Sequence, residues 1–320
     1  MGKIKKLKGG FDLFVTEDEK LLVTSNSRNA VYVYDLETGK LKLQVKTVSN
    51  VSEKAISPDK SLLAAKNTQG HIAIISMETG EEMGRSNMKW CEGEQMTFTA
   101  DSKAILDFDW DGRTMLLDCD TKMYKILDGP KEKGEKVLPR VSHIKYDRYS
   151  NQIYKFVADE WGNSKGRIMA SPADPENISF EVVQEFPDVL PDHLEGISLC
   201  KTNNYYLDKK NKDLVVTDKQ FAEVRRISLP ESVKESKLWP DKMWVSPCEQ
   251  YVFIDMGRQY DPDDFAGTFH DAKPLSYLFK LDTMELVQEF DYDYISDFTM
   301  IDEDKKFILS TWQGSYIGEI

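Results

Sequence analysis

Carboxylates, indoles and imidazoles are the groups in this chain with the types for binding or catalysis, and most of them fall outside its β-rich runs. The acids in question are Glu92, Glu94, Asp109, Asp111, Asp159, Glu160, Asp192, Glu195, Asp261, Asp263 and Asp264. Converging carboxylates can hold a hard cation such as calcium, which wants about 6–8 oxygen ligands, or can work as a general acid–base pair. The run DPDDFAGTFHD from Asp261 lacks the D-x-[DN]-x-[DN]-G spacing of a calcium loop. His71, His143, His193 and His270 form no HExxH or similar ligand pair, and neither a GxSxG elbow nor a Gly-rich phosphate loop is present. His193 and Glu195 bracket the entry to a β-rich run, where a His–Glu pair could do proton transfer. Arg258 and Lys242 are the cations available to a phosphate. No catalytic set is complete, no cofactor is identifiable, and the metal requirement is left open.

The elements that must carry these residues repeat. A polar turn followed by a β-rich run reads TEDEKLLVTS from Thr16, SPDKSLLAAK from Ser57 and TADSKAILDF from Thr99. Weaker copies are DRYSNQIYKF from Asp147, CKTNNYYLDK from Cys200, SPCEQYVFID from Ser246 and DEDKKFILST from Asp302. The run-opening residues Lys20, Ser61, Lys103, Asn151, Asn204, Gln250 and Lys306 step by 41, 42, 48, 53, 46 and 56 positions. A period of about 40–50 residues with four strands per unit specifies an all-β, seven-bladed β-propeller of four-stranded antiparallel blades. The runs are β-branched and aromatic, bounded by Asp, Asn, Gly and Ser. A turn or two of helix is expected only near Glu231–Lys237. The blades are read as 11–48, 52–88, 94–128, 141–187, 194–229, 241–290 and 296–320 of a single 1–320 domain. The last blade lacks an outer strand, and KIKKLKGG near the start is a spare one. Pairing of residues 1–8 with the final strand removes an open edge and closes the ring, with Lys3, Lys5, Lys6 and Lys8 as its solvated face.

On these residues the chain resembles a known superfamily. NAVYVYDLETGKL (Asn29–Leu41) is similar to the strand–turn–strand module of YVTN-type and WD-repeat propellers. SPDKSLLA (Ser57–Ala64) is similar to their "SPDGxxLA" turn and strand, with Lys60 at the usual Gly. The Gly-His and Trp-Asp dipeptides of WD repeats are mostly missing; Gly70-His71 precedes a third strand instead. The resemblance implies that ligands sit on the face carrying the b–c hairpins and the d–a connections between blades. The long connections 128–140, 158–167, 187–194, 230–241 and 257–274 map there, and long loops on a rigid scaffold are where binding resides. Trp90, Trp110, Trp161, Trp239 and Trp312 fall in or beside them, whereas Trp244 lies within a strand. Tryptophan is enriched at hot spots, so the aromatic and acidic loop face reads as a recognition surface.

Bulk properties narrow the partners. With 55 acidic against 42 basic residues, the net charge of −13 opposes phosphate backbones and anionic membranes. Cys91, Cys119, Cys200 and Cys248 are scattered, without the clustered spacing of a disulfide framework or zinc site. No signal peptide or membrane-spanning run is legible, and a cytoplasmic setting is expected. The expected function is a non-catalytic binding propeller whose loop face takes a protein or small ligand, with no nucleic acid and no membrane as partner. The ligand-binding candidates are Trp90, Trp110, Trp161, His193, Glu195, Arg258 and Trp312. The alternative is a metal-dependent lactonase or hydrolase. Resemblance to gluconolactonase-like propellers implies Glu, Asn and Asp ligands from inner strands, for which Glu53, Glu195 and Asp297 are the carboxylates on offer.

Overall fold

The structure is a computed structural model that describes residues 4–26, 28–86, 95–109, 111–131, 140–158, 166–186, 196–208, 211–236, 239–257, 275–292 and 294–320. Its strands form seven four-stranded antiparallel sheets, the seven-bladed β-propeller expected. An N-terminal strand, β1 (Lys5–Leu7), precedes the first blade. Blade 1 is β2 (Gly10–Val15), β3 (Leu21–Ser25), β4 (Ala30–Asp35) and β5 (Lys40–Lys46). Blade 2 is β6 (Val51–Ile56), β7 (Leu62–Asn67), β8 (Ile72–Ser76) and β9 (Glu82–Arg85). Blade 3 follows as β10 (Met96–Phe98), β11 (Ala104–Phe108), β12 (Thr114–Asp118) and β13 (Tyr124–Asp128). Blade 4 is β14 (Arg140–Asp147), β15 (Gln152–Ala158), β16 (Gly166–Pro172) and β17 (Glu181–Phe186). Blade 5 is β18 (Ser198–Leu199), β19 (Asn204–Asp208), β20 (Asp213–Thr217) and β21 (Glu223–Ser228). The one-turn helix α1 (Glu231–Lys234) leads to blade 6: β22 (Trp239–Val245), β23 (Tyr251–Gly257), β24 (Leu275–Lys280) and β25 (Leu286–Phe290). Blade 7 has β26 (Ile295–Ile301), β27 (Lys306–Thr311) and β28 (Gly314–Glu319), and β1 completes it beside β28.

The chain divides into two compact units. One comprises Leu7–Leu190 with Trp312–Ser315; the other comprises Met1–Lys6, Pro191–Thr311 and Tyr316–Ile320. In the first, the second and third strands of each blade are buried on both faces between neighbouring blades. They therefore read as near-continuous apolar runs, and all five residues of LLVTS in β3 are buried. Val23, Val31 and Val33 pack with Leu63, Ala65 and Ile75 between blades 1 and 2. Ala64 and Ile74 face Phe98, Ile105 and Leu117 of blade 3. Outer strands meet water and alternate: in KLKLQVK of β5 only Val45 is buried. In the second unit, Leu207, Leu214, Val252 and Ile254 join blades 5 and 6, with Val233 of α1 plugged into the same cluster. Between blades 6 and 7 the filling is aromatic. Phe253 stacks on Phe298 at 4.1 Å, and Phe290 meets Phe307 edge-on at 5.1 Å.

The first-to-second-strand turns share one chemistry. Thr16, Ser57 and Thr99 each donate from the hydroxyl to the aspartate two residues on, at 2.8, 2.6 and 2.7 Å. The same hydroxyls accept the backbone N–H of Leu21, Leu62 and Ala104. Turn closure forces positive φ at Glu19, Lys60 and Ser102, the position that glycine fills most readily. Blade 6 has Cys248 where the aspartate would be. There Ser246 turns to blade 7 and donates to Asp304 at 2.5 Å.

Candidate functional site

Antiparallel order puts the b–c hairpins and d–a connections of every blade at one end of its sheet. At that end four of the inner strands share a distortion. The ladder shifts by one residue after Val51, Val141, Pro240 and Ile295, where β6, β14, β22 and β26 begin. Such bulges re-aim the side chains beside them. The residue that resumes the register is titratable each time: Glu53, His143, Lys242 and Asp297. Glu53 and Asp297, read as inner-strand carboxylates, thus hold equivalent positions in two blades. Asp297 accepts the Phe298 N–H at 2.8 Å. Lys242 donates to the Ile295 carbonyl at 3.4 Å.

The next strand outward carries buried charge. Lys66 is fully buried and donates to Asp107 at 2.7 Å and to the Phe108 carbonyl at 2.6 Å. Tyr124 donates to the other Asp107 oxygen at 3.1 Å. Beyond Phe108 the chain turns through a hairpin in which Arg113 Nε lies 2.7 Å from Asp109 Oδ2, both buried. The Arg113 N–H donates to Asp109 Oδ1 at 2.9 Å, and its guanidinium reaches Asp111. From the other side Lys155 donates to the Gly112 carbonyl at 2.7 Å, pairs with Asp128 and lies 4.2 Å over the Phe180 ring. Burial draws its ammonium below the usual lysine range. Blade 3's hairpin is therefore clamped by a lysine from each neighbouring blade. Sequence reading passed over these lysines, although a lone charge inside LLAAK, AILDF or IYKFV can be buried only with a partner.

In blade 6, Asp255 accepts a hydrogen bond from Ser276 Oγ at 2.6 Å, and burial pushes its carboxyl up to about 6. Lys242 opposes that shift, whereas Asp241 adds to it. Among the described residues no group of three or more His, Cys, Asp or Glu side chains is arranged to hold a metal ion. Of the four cysteines, Cys119 and Cys200 are buried and Cys248 is exposed, none of the three in a disulfide; burial pushes Cys119 up to about 11.

Of the ligand-binding candidates, Trp312 is the one within the described residues. It sits in the tight b–c turn of blade 7, 64% exposed, with its ring stacked on Phe11 at 6.3 Å. Phe11 has φ of 60°, an unusual conformation for a bulky aromatic. Trp90, Trp110, Trp161, His193, Glu195 and Arg258 lie outside the described residues. Trp239, expected in a connection, opens β22 instead. Trp244 is in a strand as expected and packs edge-on against Phe253 at 5.8 Å. Two open grooves lie at the opposite end, among the turns of blades 5 to 7.

The fold defines the class: a seven-bladed β-propeller of four-stranded antiparallel blades. No protein-family model matches the chain. Two curated relatives match part of it, both called U3 small nucleolar RNA-associated protein 18 homolog. The human protein is 30% identical over 114 residues, which is 34% of this chain and 20% of the relative. The mouse protein is 31% identical over 122 residues, 36% of this chain and 22% of the relative. The match thus spans about a fifth of each relative's length. Among solved structures, the β-propeller domain of Cps50 (Swd1) from Myceliophteria thermophila superposes with a TM-score of 0.69 at 9% identity, covering 99% of this chain and all of that one. Hydrazine synthase from Kuenenia stuttgartiensis does so at 0.66 and 11% identity, covering 99% and 97%. At such identities the likeness shows the fold alone. The relatives overturn one expectation. Both are named for association with a small nucleolar RNA, which points away from the cytoplasmic setting expected from the sequence. Scattered thiols suit the nucleus equally well, so they never separated the two compartments.

Proposed function

We propose that this chain is a non-catalytic docking propeller that serves a protein or ribonucleoprotein assembly in a nucleolar setting, through the face carrying its b–c hairpins and d–a connections. The observation that carries the reading is Trp312, a large aromatic left 64% exposed on a tight turn and backed by Phe11. Exposed indoles on rigid supports are the usual anchors of protein interfaces. The clamped hairpin of blade 3 supports the same surface, because a preorganised loop loses less entropy on binding. By sequence, Trp90, Trp110, Trp161, His193, Glu195 and Arg258 occupy connections of this face and belong to the proposed surface. The nucleolar setting rests on the relatives' names and the segment shared with them. Contact with the assembly's proteins fits the net charge of −13 better than direct contact with its RNA.

The test is sedimentation of the tagged full chain in extract from cells that express it, with U3 RNA followed across the gradient. The chain is expected to travel with U3-containing particles, and Trp312→Ala to shift it towards the free fraction while its urea midpoint stays unchanged. A wild-type chain found only as free protein would sink the proposal.

A further inference from the structure

The hairpins of blades 1 and 2 form a platform with its backbone already bonded. Asn26 Oδ1 accepts the N–H groups of Arg28, Asn29 and Ala30 at 3.1, 3.1 and 3.0 Å. Asn67 Oδ1 accepts those of Gln69 and His71 at 3.0 and 2.9 Å. The d–a connection between the two blades is tied to both hairpins. Thr47 N–H donates to the Asn29 carbonyl at 2.8 Å and Asn50 N–H to the Arg28 carbonyl at 3.0 Å, while the Asn50 carbonyl accepts the Thr68 N–H at 3.2 Å. The exposed residues of this platform are Arg28, Asn29, Ser49, Asn50, Thr68 and Gln69. Phe11 and Trp312 stand beside it, since Gly10 lies opposite Ser25, which leads into the first hairpin.

Arg28 is the one charge among those exposed residues, in a chain of which 30% is charged. At the far end of the same blade Glu17, Asp18, Glu19 and Lys20 follow one another. Charge resumes only at the platform's borders, where Lys8 and Lys46 are balanced by Asp12 and Glu53. Depletion of Lys, Glu and Asp around a Trp and an Arg is the compositional mark of an interface core. Among the described residues the side-chain amides of Asn29, Asn50 and Gln69 make no hydrogen bond. Each offers a donor and an acceptor together, the complement of a peptide group. We propose that this platform docks an uncharged segment of another protein, its main chain bonded by these three amides and an apolar side chain laid on Trp312. The inference rests on the docking function proposed above, and adds which arc of the face is used and the chemistry of its occupant. A charged segment would surrender hydration here for no opposite charge beyond Arg28. Single-stranded RNA would find an indole to stack on, but one cation within the platform for its row of phosphates.

The test is sedimentation of the tagged full chain with U3-containing particles, read as the ratio of particle-bound to free chain. Asn29→Asp combined with Gln69→Glu, near-isosteric changes that set carboxylates on the platform, is expected to lower that ratio at least about tenfold with the urea midpoint unchanged. Gln44→Glu combined with Gln220→Glu, the same charge change on exposed β5 and in the turn between β20 and β21, should leave it within about twofold. Salt gives a readout that needs no variant. Between about 50 and about 300 mM KCl the wild-type ratio should change less than about twofold while U3 sediments as before, because an uncharged contact is not screened. Wild-type chain absent from the particles sinks both this inference and the proposed function. A chain that joins them overturns the platform alone if it ignores Asn29→Asp with Gln69→Glu, responds equally to the control pair, or is stripped from intact particles by salt. So does oligouridylate binding, by anisotropy, that Trp312→Ala abolishes.

Discussion

Single residues of this chain are most informative where charge is buried. The Lys66 ammonium and Asp107 carboxylate are both wholly inaccessible and paired at 2.7 Å. Removing one partner of such a pair strands the other in a low-dielectric interior, which costs about 3–5 kcal/mol, whereas replacing both with apolar groups of similar volume is close to neutral. Lys66→Met is accordingly expected to lower stability to urea by about that amount, and Lys66→Met with Asp107→Leu to recover most of it. A double variant no better than the single one would mean that the Phe108 carbonyl and Tyr124 hydroxyl, left behind, are the true cost. Asp255 gives a pH signature. Its carboxyl titrates near 6 in the fold against about 4 unfolded, so the folded chain holds its proton more tightly. The stability from that proton is fully present below pH 4 and lost as pH rises through 6, up to about 3 kcal/mol. The difference in urea midpoint between wild type and Asp255→Asn should fall across that window and be flat above it. A difference independent of pH would show that Asp255 ionises normally.

At the scale of elements, the turns decide. The Ser57 hydroxyl accepts the Leu62 N–H and Asp59 accepts the Ser61 N–H, and the bonds from Ser57 and Ser61 pull the Asp59 carboxyl down to about 2. Lys60 stands beside them at φ of 60°, where a β-carbon costs about 1 kcal/mol. Its ion pair with Asp18 is exposed and returns little. Lys60→Gly should therefore raise the urea midpoint, by up to about 1 kcal/mol, and Ser57→Ala should lower it by about 1–2 kcal/mol. Destabilisation by Lys60→Gly would make the Asp18 pair the stronger term. Such turns are why the first three blades were legible: S/T-x-D fixes where one strand stops and LLVTS or LLAAK begins. Blade 6 was harder because Cys248 replaces the aspartate, and its turn is rescued by Asp304 from another blade, a partner that no local pattern announces. The site was less legible than the fold. A bulge is one extra residue with no composition of its own, so the equivalence of Glu53, His143, Lys242 and Asp297 emerges only from the ladder register.

For the molecule as a whole, completion of the last blade is the step most open to test. β1 enters the sheet of β26 to β28, so the final strand has a neighbour on its outer side. Leu7 is buried, Ile4 packs on the Phe298 and Phe307 cluster, and Lys6 lies 5.5 Å over the Tyr316 ring. Gly318 leaves room for this approach, since a β-carbon there would fall 2.5 Å from Phe307 and 3.2 Å from Ile4. Deleting residues 1–8 removes two apolar anchors worth about 1.5–3 kcal/mol each when buried, together with one ladder of backbone hydrogen bonds. It also uncovers β28 as an edge strand able to pair with another chain. The truncated protein is expected to lose about 3–6 kcal/mol in urea and to self-associate as its concentration rises, by sedimentation. A synthetic peptide of the first ten residues, supplied in excess, should reverse both effects by refilling the edge, because it binds the folded state alone. Loss of stability without rescue would assign the effect to cluster packing that the free peptide cannot restore. A truncated chain that stays monomeric with an unchanged midpoint would mean that the blade holds with three strands, and that the lysine-rich strand is an accessory to the propeller and no part of its closure.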